Sequence, residues 1–144
     1  MPDRTLIIRF EQLTDAPEWI WERTELEFLC LSDNRLTAIP ETIGRLTNLR
    51  ALDIAHNALE AIPDAIGDLP HLTDYLYLAD NRLTAFPEAV SRLTKLRYLG
   101  ITDNQIASLP ESIASMKALV ELRAYDNGMT RLPDAIGAMP NLRE

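Results

Sequence analysis

Apolar residues in this chain recur in two alternating spacings. A short run places large aliphatics at every second residue, as in Leu29-Cys30-Leu31, and isolated aliphatics then follow three or four residues apart, as at Leu36, Ile39, Ile43 and Leu46. The first spacing is that of a strand with one face buried, and the second that of a turn running into helix. The unit from Leu26 to Asn48 reads L-x-x-L-x-L-x-x-N-x-L-x-x-I-P-x-x-I-x-x-L-x-x, 23 residues in all. Its Asn34 returns as Asn57, Asn81, Asn104 and Asn127, at steps of 23, 24, 23 and 23. Its Pro40 returns as Pro63, Pro87, Pro110 and Pro133, and Pro17 stands 23 residues before it. A fixed period of this length predicts a solenoid, in which each unit buries its apolar face against its neighbours.

Aligned on these columns, the chain divides into units at 3–25, 26–48, 49–71, 72–95, 96–118 and 119–141, with Leu142 opening another. Each reads as strand, turn, Pro plus acid, and one or two helical turns such as Glu41 to Leu46. Strand, crossover and parallel strand, repeated, predict an α/β architecture: a right-handed coil with a parallel sheet on one side and short helices on the other. Two inward columns are expected at Leu6, Leu29, Leu52, Leu76, Leu99, Leu122 and at Ile8, Leu31, Ile54, Leu78, Ile101, Ala124. A third, on the helical side, is Ile20, Ile43, Ile66, Val90, Ile113 and Ile136. The asparagines are assigned to structure, because an amide facing a core bonds backbone groups of its own turn and the next.

This pattern resembles the leucine-rich repeat family, in its 23-residue LPxxIGxL type, over almost the whole chain. That type occurs in intracellular Ras-group repeat proteins, Ras-pathway scaffolds and many bacterial proteins. The resemblance implies a horseshoe whose concave parallel sheet binds other proteins. The first unit departs from the pattern. Glu11 replaces Asn, Arg23 replaces a leucine, and Trp19 and Trp21 take variable or glycine positions. Residues 1–25 are therefore expected to form an N-terminal capping repeat, with the tryptophans roofing the first coil. Residues 26–144 carry five repeats and the start of another, with no evident C-terminal cap.

Composition adjusts this picture in three places. The net charge is −8, but the residue after each column proline is acidic (Glu18, Glu41, Asp64, Glu88, Glu111, Asp134). Such acids suit the positive end of a short helix. Setting these six aside leaves 16 of the 22 acidic residues against 14 basic ones, so a basic partner is not demanded and a nucleic-acid partner is disfavoured. The lone Cys30 and a start, MPDRTLIIRF, unlike a secretory signal favour a cytoplasmic setting, or delivery into a host cell without a cleavable signal. No apolar run approaches the roughly 18 residues of a membrane span, so no membrane partner is expected.

Strand residues between the inward leucines face the concave side. They include Phe28, Tyr75 and Tyr98 in one column, Cys30, Asp53, Tyr77, Gly100 and Arg123 in the next, and Ser32, Ala55, Ala79, Thr102 and Tyr125 in a third. All four tyrosines fall in this set. Tyr with Arg is the composition of an interface hot spot, so the expected partner site is Phe28, Asp53, Tyr75, Tyr77, Tyr98, Arg123 and Tyr125, for a protein or peptide. One surplus residue between Leu72 and Leu76 predicts a bulge that either re-aims the rings or is a tolerated insertion. Asp33, His56, Asp80, Asp103 and Asp126 form a row just before the asparagines, where carboxylates are expected to bond the following turn, the alternative being that the row attracts a basic segment or a cation. No zinc spacing, phosphate loop or placed nucleophile and base is present, so no cofactor, no metal and no catalysis are expected.

The reading is a protein-interaction module. Two alternatives stand beside it: a targeting arm of a larger enzyme such as a kinase or secreted bacterial ligase, and an architectural repeat that self-associates through its C-terminal end. The reading frame beyond Glu144 tests the first, and light scattering across a concentration series tests the second.

Overall fold

The computed structural model describes residues 3–144; residues 1–2, with which the expected capping unit 1–25 begins, lie outside the described residues. Among these, six three-residue strands form one parallel sheet in chain order: β1 (Thr5–Ile7), β2 (Phe28–Cys30), β3 (Ala51–Asp53), β4 (Tyr75–Tyr77), β5 (Tyr98–Gly100) and β6 (Glu121–Arg123). Each strand is followed by one five-residue turn of 3-10 helix: Glu18–Glu22, Glu41–Arg45, Asp64–Asp68, Glu88–Arg92, Glu111–Ser115 and Asp134–Ala138. The solenoid with a parallel sheet is thus observed, and the short helices of the other side are 3-10 turns. The reason is local. Each column proline caps its turn with extended backbone, as at Pro40 (φ −74°, ψ 158°), and its carbonyl accepts from the N–H three residues on, Ile43 at 3.1 Å. The chain then leaves the turn at Leu46 before an α-helical ladder can start.

The proline is therefore the cap, and the acid after it is the first residue of the turn. In the second unit that acid also serves the coil ahead: Glu41 accepts the backbone N–H groups of Asp64 (3.1 Å) and Ala65 (2.9 Å) at the start of the next turn. The sequence-level account of the acidity, in which each carboxylate meets its own turn, gains this cross-coil bond.

Register is constant from strand to strand. Leu6, Leu29, Leu52, Leu76, Leu99 and Leu122 lie side by side, as do their outward neighbours. Leu29, Leu52 and Leu76 are fully buried, and so are Leu31, Ile54, Leu78 and Ile101 behind them. The columns loosen at both ends, where Leu6, Ile8, Leu122, Ala124 and Ile136 are only partly buried.

The surplus residue of the fourth unit is absorbed before its strand. In ordinary units two successive N–H groups share one carbonyl, as Arg50 and Ala51 do with Glu27 (2.8 and 3.1 Å). Here the acceptor is doubled: Arg97 N–H bonds the Thr73 carbonyl at 3.0 Å and Tyr98 N–H the Asp74 carbonyl at 3.2 Å. Tyr75 still pairs with Ala51 and Tyr98, so the insertion does not re-aim the rings.

The asparagine column behaves as expected. Asn104 Nδ2 donates to the carbonyls of Leu78 (3.0 Å), Ile101 (3.1 Å) and Thr102 (3.2 Å), and its Oδ1 accepts the Leu83 N–H at 3.0 Å. One buried amide thus ties its own turn to the coil before it, closing backbone groups that would otherwise be costly to bury. The residues just ahead of these asparagines all have left-handed backbone: Asp33 (φ 58°), His56 (54°), Asp80 (51°), Asp103 (53°) and Asp126 (55°). Asp and His adopt this region more readily than most residues, which accounts for the row. None of the side-chain hydrogen bonds found runs from the row into the following turn, so the expected turn-bonding role is replaced by a conformational one.

The first unit also differs from its sequence reading. Trp21 is buried in the core beside Ile20, whereas Trp19 is 48% exposed, so one tryptophan covers the coil and the other does not. In later units the position of Trp21 holds Gly44, Gly67, Ser91, Ala114 and Gly137, and at Gly67 the packing demands glycine. A Cβ on Gly67 would lie 2.4 Å from the Ala89 carbonyl oxygen, beneath an Arg92 side chain that bonds Asp64 and Asp68.

Candidate functional site

The period-two alternation of the strands puts every residue between two inward leucines on the outer face of the sheet. There the tyrosines meet. Tyr75 and Tyr77, two apart on β4, stack with ring centroids 4.3 Å apart and planes at 16°. The Phe28 ring meets Tyr75 edge-on at 6.1 Å and 65°. Tyr98 is next to Tyr75 across the register, and the Arg97 guanidinium lies 5.5 Å from the centre of its ring.

These rings border an open cavity of about 650 Å³. Of the residues expected to bind a partner, Asp53, Tyr75, Tyr77, Tyr98, Arg123 and Tyr125 line it. Phe28 does not line it and touches the group through Tyr75. Tyr77 is 40% exposed and Tyr125 62%, while Tyr75 and Tyr98 are half-buried. The face is not open throughout: Cys30, Ser32, Ala51, Ala55, Gly100 and Thr102 face it yet are buried. The strand pattern gave the side these residues point to, not what covers them.

Among the other lining residues are four with ionisable side chains that were not counted among the expected binders: Arg9, His56, Asp103 and Glu121. Each stands in a column already recognised as facing the sheet or its edge, and the column period was the signal that could have found them. Thr102 was placed on this face, but not its state: its buried hydroxyl has no hydrogen-bond partner.

The charges around the cavity are largely matched. Arg9 Nη2 lies 2.6 Å from Asp33 Oδ2, which raises the Arg9 pKa above its ordinary value. Burial acts to raise the Asp33 pKa, but the hydrogen bonds from Arg9 and Ser32 outweigh it and hold that carboxyl below the usual range. Arg123 pairs with Glu121 on its own strand, which raises the arginine further. His56 Nδ1 lies 2.9 Å from Asp80 Oδ2. Burial, then Tyr77 and the Asp53 carboxylate, push the Tyr75 phenol up to about 12. Burial and Glu121 also raise Tyr77, with Arg123 working the other way. At neutral pH the Tyr75 and Tyr77 rings are therefore uncharged phenols with electron-rich faces.

Cys30 Sγ lies 3.2 Å from Ser32 Oγ and 3.7 Å from Asp53 Oδ2, and His56, the nearest imidazole in sequence, is bonded to Asp80. Nothing in this geometry activates the thiol. Among the described residues, no group of three His, Cys, Asp or Glu side chains is placed to hold a metal ion, and no helix is long and apolar enough to cross a membrane. What the arrangement can do is recognise: it offers aromatic area, neutral hydroxyls and carboxylates in one concavity.

Comparison with known proteins agrees with the fold. A family model described as a leucine-rich repeat region matches residues 66–144, and one described as leucine rich repeat matches residues 24–83. Comparison with curated proteins finds no match. Among solved structures, the chain is similar to an internalin (InlF) from Listeria monocytogenes strain 4b F2365, with a TM-score of 0.82 and 25% sequence identity. The similarity covers 96% of this chain and 39% of that one, so the chain spans well under half of the internalin's length.

Proposed function

The chain belongs to the leucine-rich repeat family, and from that premise we propose that it is a non-enzymatic protein-interaction module that holds a protein or peptide partner on the concave face of its sheet. One observation carries the proposal: the four tyrosines of the sequence all border a single cavity on that face. Tyr75, Tyr77, Tyr98 and Tyr125 supply the contact area, Phe28 buttresses Tyr75, and Asp53 and Arg123 supply polar contacts at the cavity wall. Residues 3–25 serve as the unit that closes the first coil, a role supported by the buried Ile20 and Trp21.

The test is a quantitative pull-down comparing the intact protein with a Tyr77→Ala/Tyr98→Ala variant. Partners retained by the intact protein are expected to fall away, with the melting temperature moving by no more than about 5 °C. Equal retention by the variant, or collapse of the fold, would sink the reading.

A second reading, self-association of two copies through the last coil, has its own observation. Leu132 is 56% exposed, and Leu122, Ala124, Met129 and Leu132 line a cavity of about 530 Å³ there. It predicts a concentration-dependent dimer in sedimentation, and a monomer at every concentration removes it.

A further inference from the structure

We propose that the cavity on the sheet face is a receptor for the guanidinium group of an arginine side chain on the partner, seated between the tyrosine rings and the Asp53 and Asp103 carboxylates. This rests on the concave-face reading above and adds what that face recognises.

The first argument is a balance of charge. Three side chains lining the cavity can carry positive charge, and each is already matched: Arg9 by Asp33, Arg123 by Glu121 and His56 by Asp80. Two lining carboxylates are not. Asp53 Oδ1 accepts the Ala55 N–H at 3.1 Å, its Oδ2 accepts from the Cys30 thiol at 3.7 Å, and no ion pair holds it among the described residues. Asp103 makes no ion pair and no side-chain hydrogen bond among the described residues, so it too faces the cavity without a cation. The cavity thus has a surplus of negative charge, set in a chain whose net charge of −8 draws cations from a distance.

The second argument is the kind of surface beside those carboxylates. A guanidinium is flat, weakly hydrated and forked, so it stacks on an aromatic face while its N–H groups reach a carboxylate. The Tyr75–Tyr77 stack and Tyr98 offer such faces, and the chain already places a guanidinium, that of Arg97, on the Tyr98 ring. Gly100 adds no side chain to the cavity lining, and the Tyr77 ring lies beside it, 3.4 Å from where a Cβ would stand.

The third argument is Thr102. Its residue is 6% exposed, it lines the cavity, and its Oγ1 is buried with no partner. A hydroxyl left unbonded in a folded chain is costly, and a donor arriving in the cavity would satisfy it. In its column it is flanked by Ala79 and by Tyr125, whose ring is 62% exposed.

The experiment uses the full chain and a pentapeptide, acetyl-Gly-Gly-Arg-Gly-Gly-amide, with matched peptides carrying citrulline or lysine. Binding is followed by NMR through the ring signals of the four tyrosines. Saturable shifts of Tyr75, Tyr77 and Tyr98 are expected with the arginine peptide, and the citrulline peptide, neutral but of the same shape, should bind roughly tenfold more weakly. Asp53→Asn keeps the Oδ1 acceptor used by Ala55 and should weaken arginine binding by roughly three- to tenfold, as should Asp103→Asn, whose new side chain tolerates the left-handed backbone. Thr102→Val should weaken binding while leaving the fold as stable or more so. Equal binding of arginine and citrulline peptides, preference for lysine, or indifference to all three substitutions would overturn the proposal. If the arginine peptide fails while the tyrosine double variant still loses its partners in the pull-down, the guanidinium assignment falls and the concave-face reading stands.

Discussion

Leu29, Leu52, Leu76 and Leu99 are interchangeable: the same residue, the same register, the same enclosure. One residue earlier on the same strands stand Phe28, Ala51, Tyr75 and Tyr98, and no two neighbouring coils present the same surface there until the tyrosines begin. The inward positions repeat because each coil must fill the same gap between identical neighbours, and close packing leaves little latitude. The outward positions are released from that demand. The backbone ladder and the asparagine bonds hold the strand whatever it displays, so recognition chemistry can change without rebuilding the scaffold.

Substitutions test that division, the strongest first. Leu76→Ala opens a fully enclosed site and should cost about 2–5 kcal/mol in urea denaturation. Leu122→Ala, at a partly buried position of the same column, should cost clearly less. Equal losses at the two would show that burial along the column is not what sets the stability. A second contrast lies on the convex side, where one column holds both Gly67 and Gly137. Alanine at 67 meets the Ala89 carbonyl and Arg92 and should cost about 1–3 kcal/mol, whereas alanine at 137 meets open space and should be neutral or stabilising by up to about 1 kcal/mol. Thermal melts of the two variants decide it. The smallest effect belongs to the sheet face and to pH. The folded Tyr75 phenol has its pKa raised to about 12, so the fold favours its neutral form. That contribution is fully present below the ordinary value of 10.0 and is lost as pH climbs from there through about 12. A phenolate absorbance titration should show Tyr75 lagging most, with Tyr77 also shifted upward, and Tyr75→Phe should remove the larger lag.

Much of this was legible in the letters. The period gave the columns, and the columns gave the register even through the insertion, because a surplus residue before a strand cannot shift the inward leucines without exposing them. The same period put the four tyrosines on one face. Other features were hidden for physical reasons. A proline, an acid and an aliphatic three residues later fit the first turn of either an α- or a 3-10 helix, and only the exit at Leu46 separates them. An aspartate before a turn serves equally as a hydrogen-bond acceptor or as a residue at ease with positive φ, and the coordinates favour the second. Trp19 and Trp21 look alike in sequence, yet a rotation of two residues around a tight turn sends one inward and the other out. At the candidate site, the alternation says that Arg123 and Glu121 share a face but not that they pair. It places Thr102 correctly and is silent on its unbonded hydroxyl.

The amide ladder has a direction. Every asparagine side chain reaches back to the coil before it, as Asn104 does to Leu78 and Leu83, and none of the side-chain bonds found for this column reaches forward. Pulled apart at its ends, the molecule would behave as a toothed zip. Each tooth that lets go strips the preceding loop of its fasteners while the coil it leaves with keeps its own, as Asn104 keeps Ile101 and Thr102. Under load, then, the two ends of the stack are not equivalent handles.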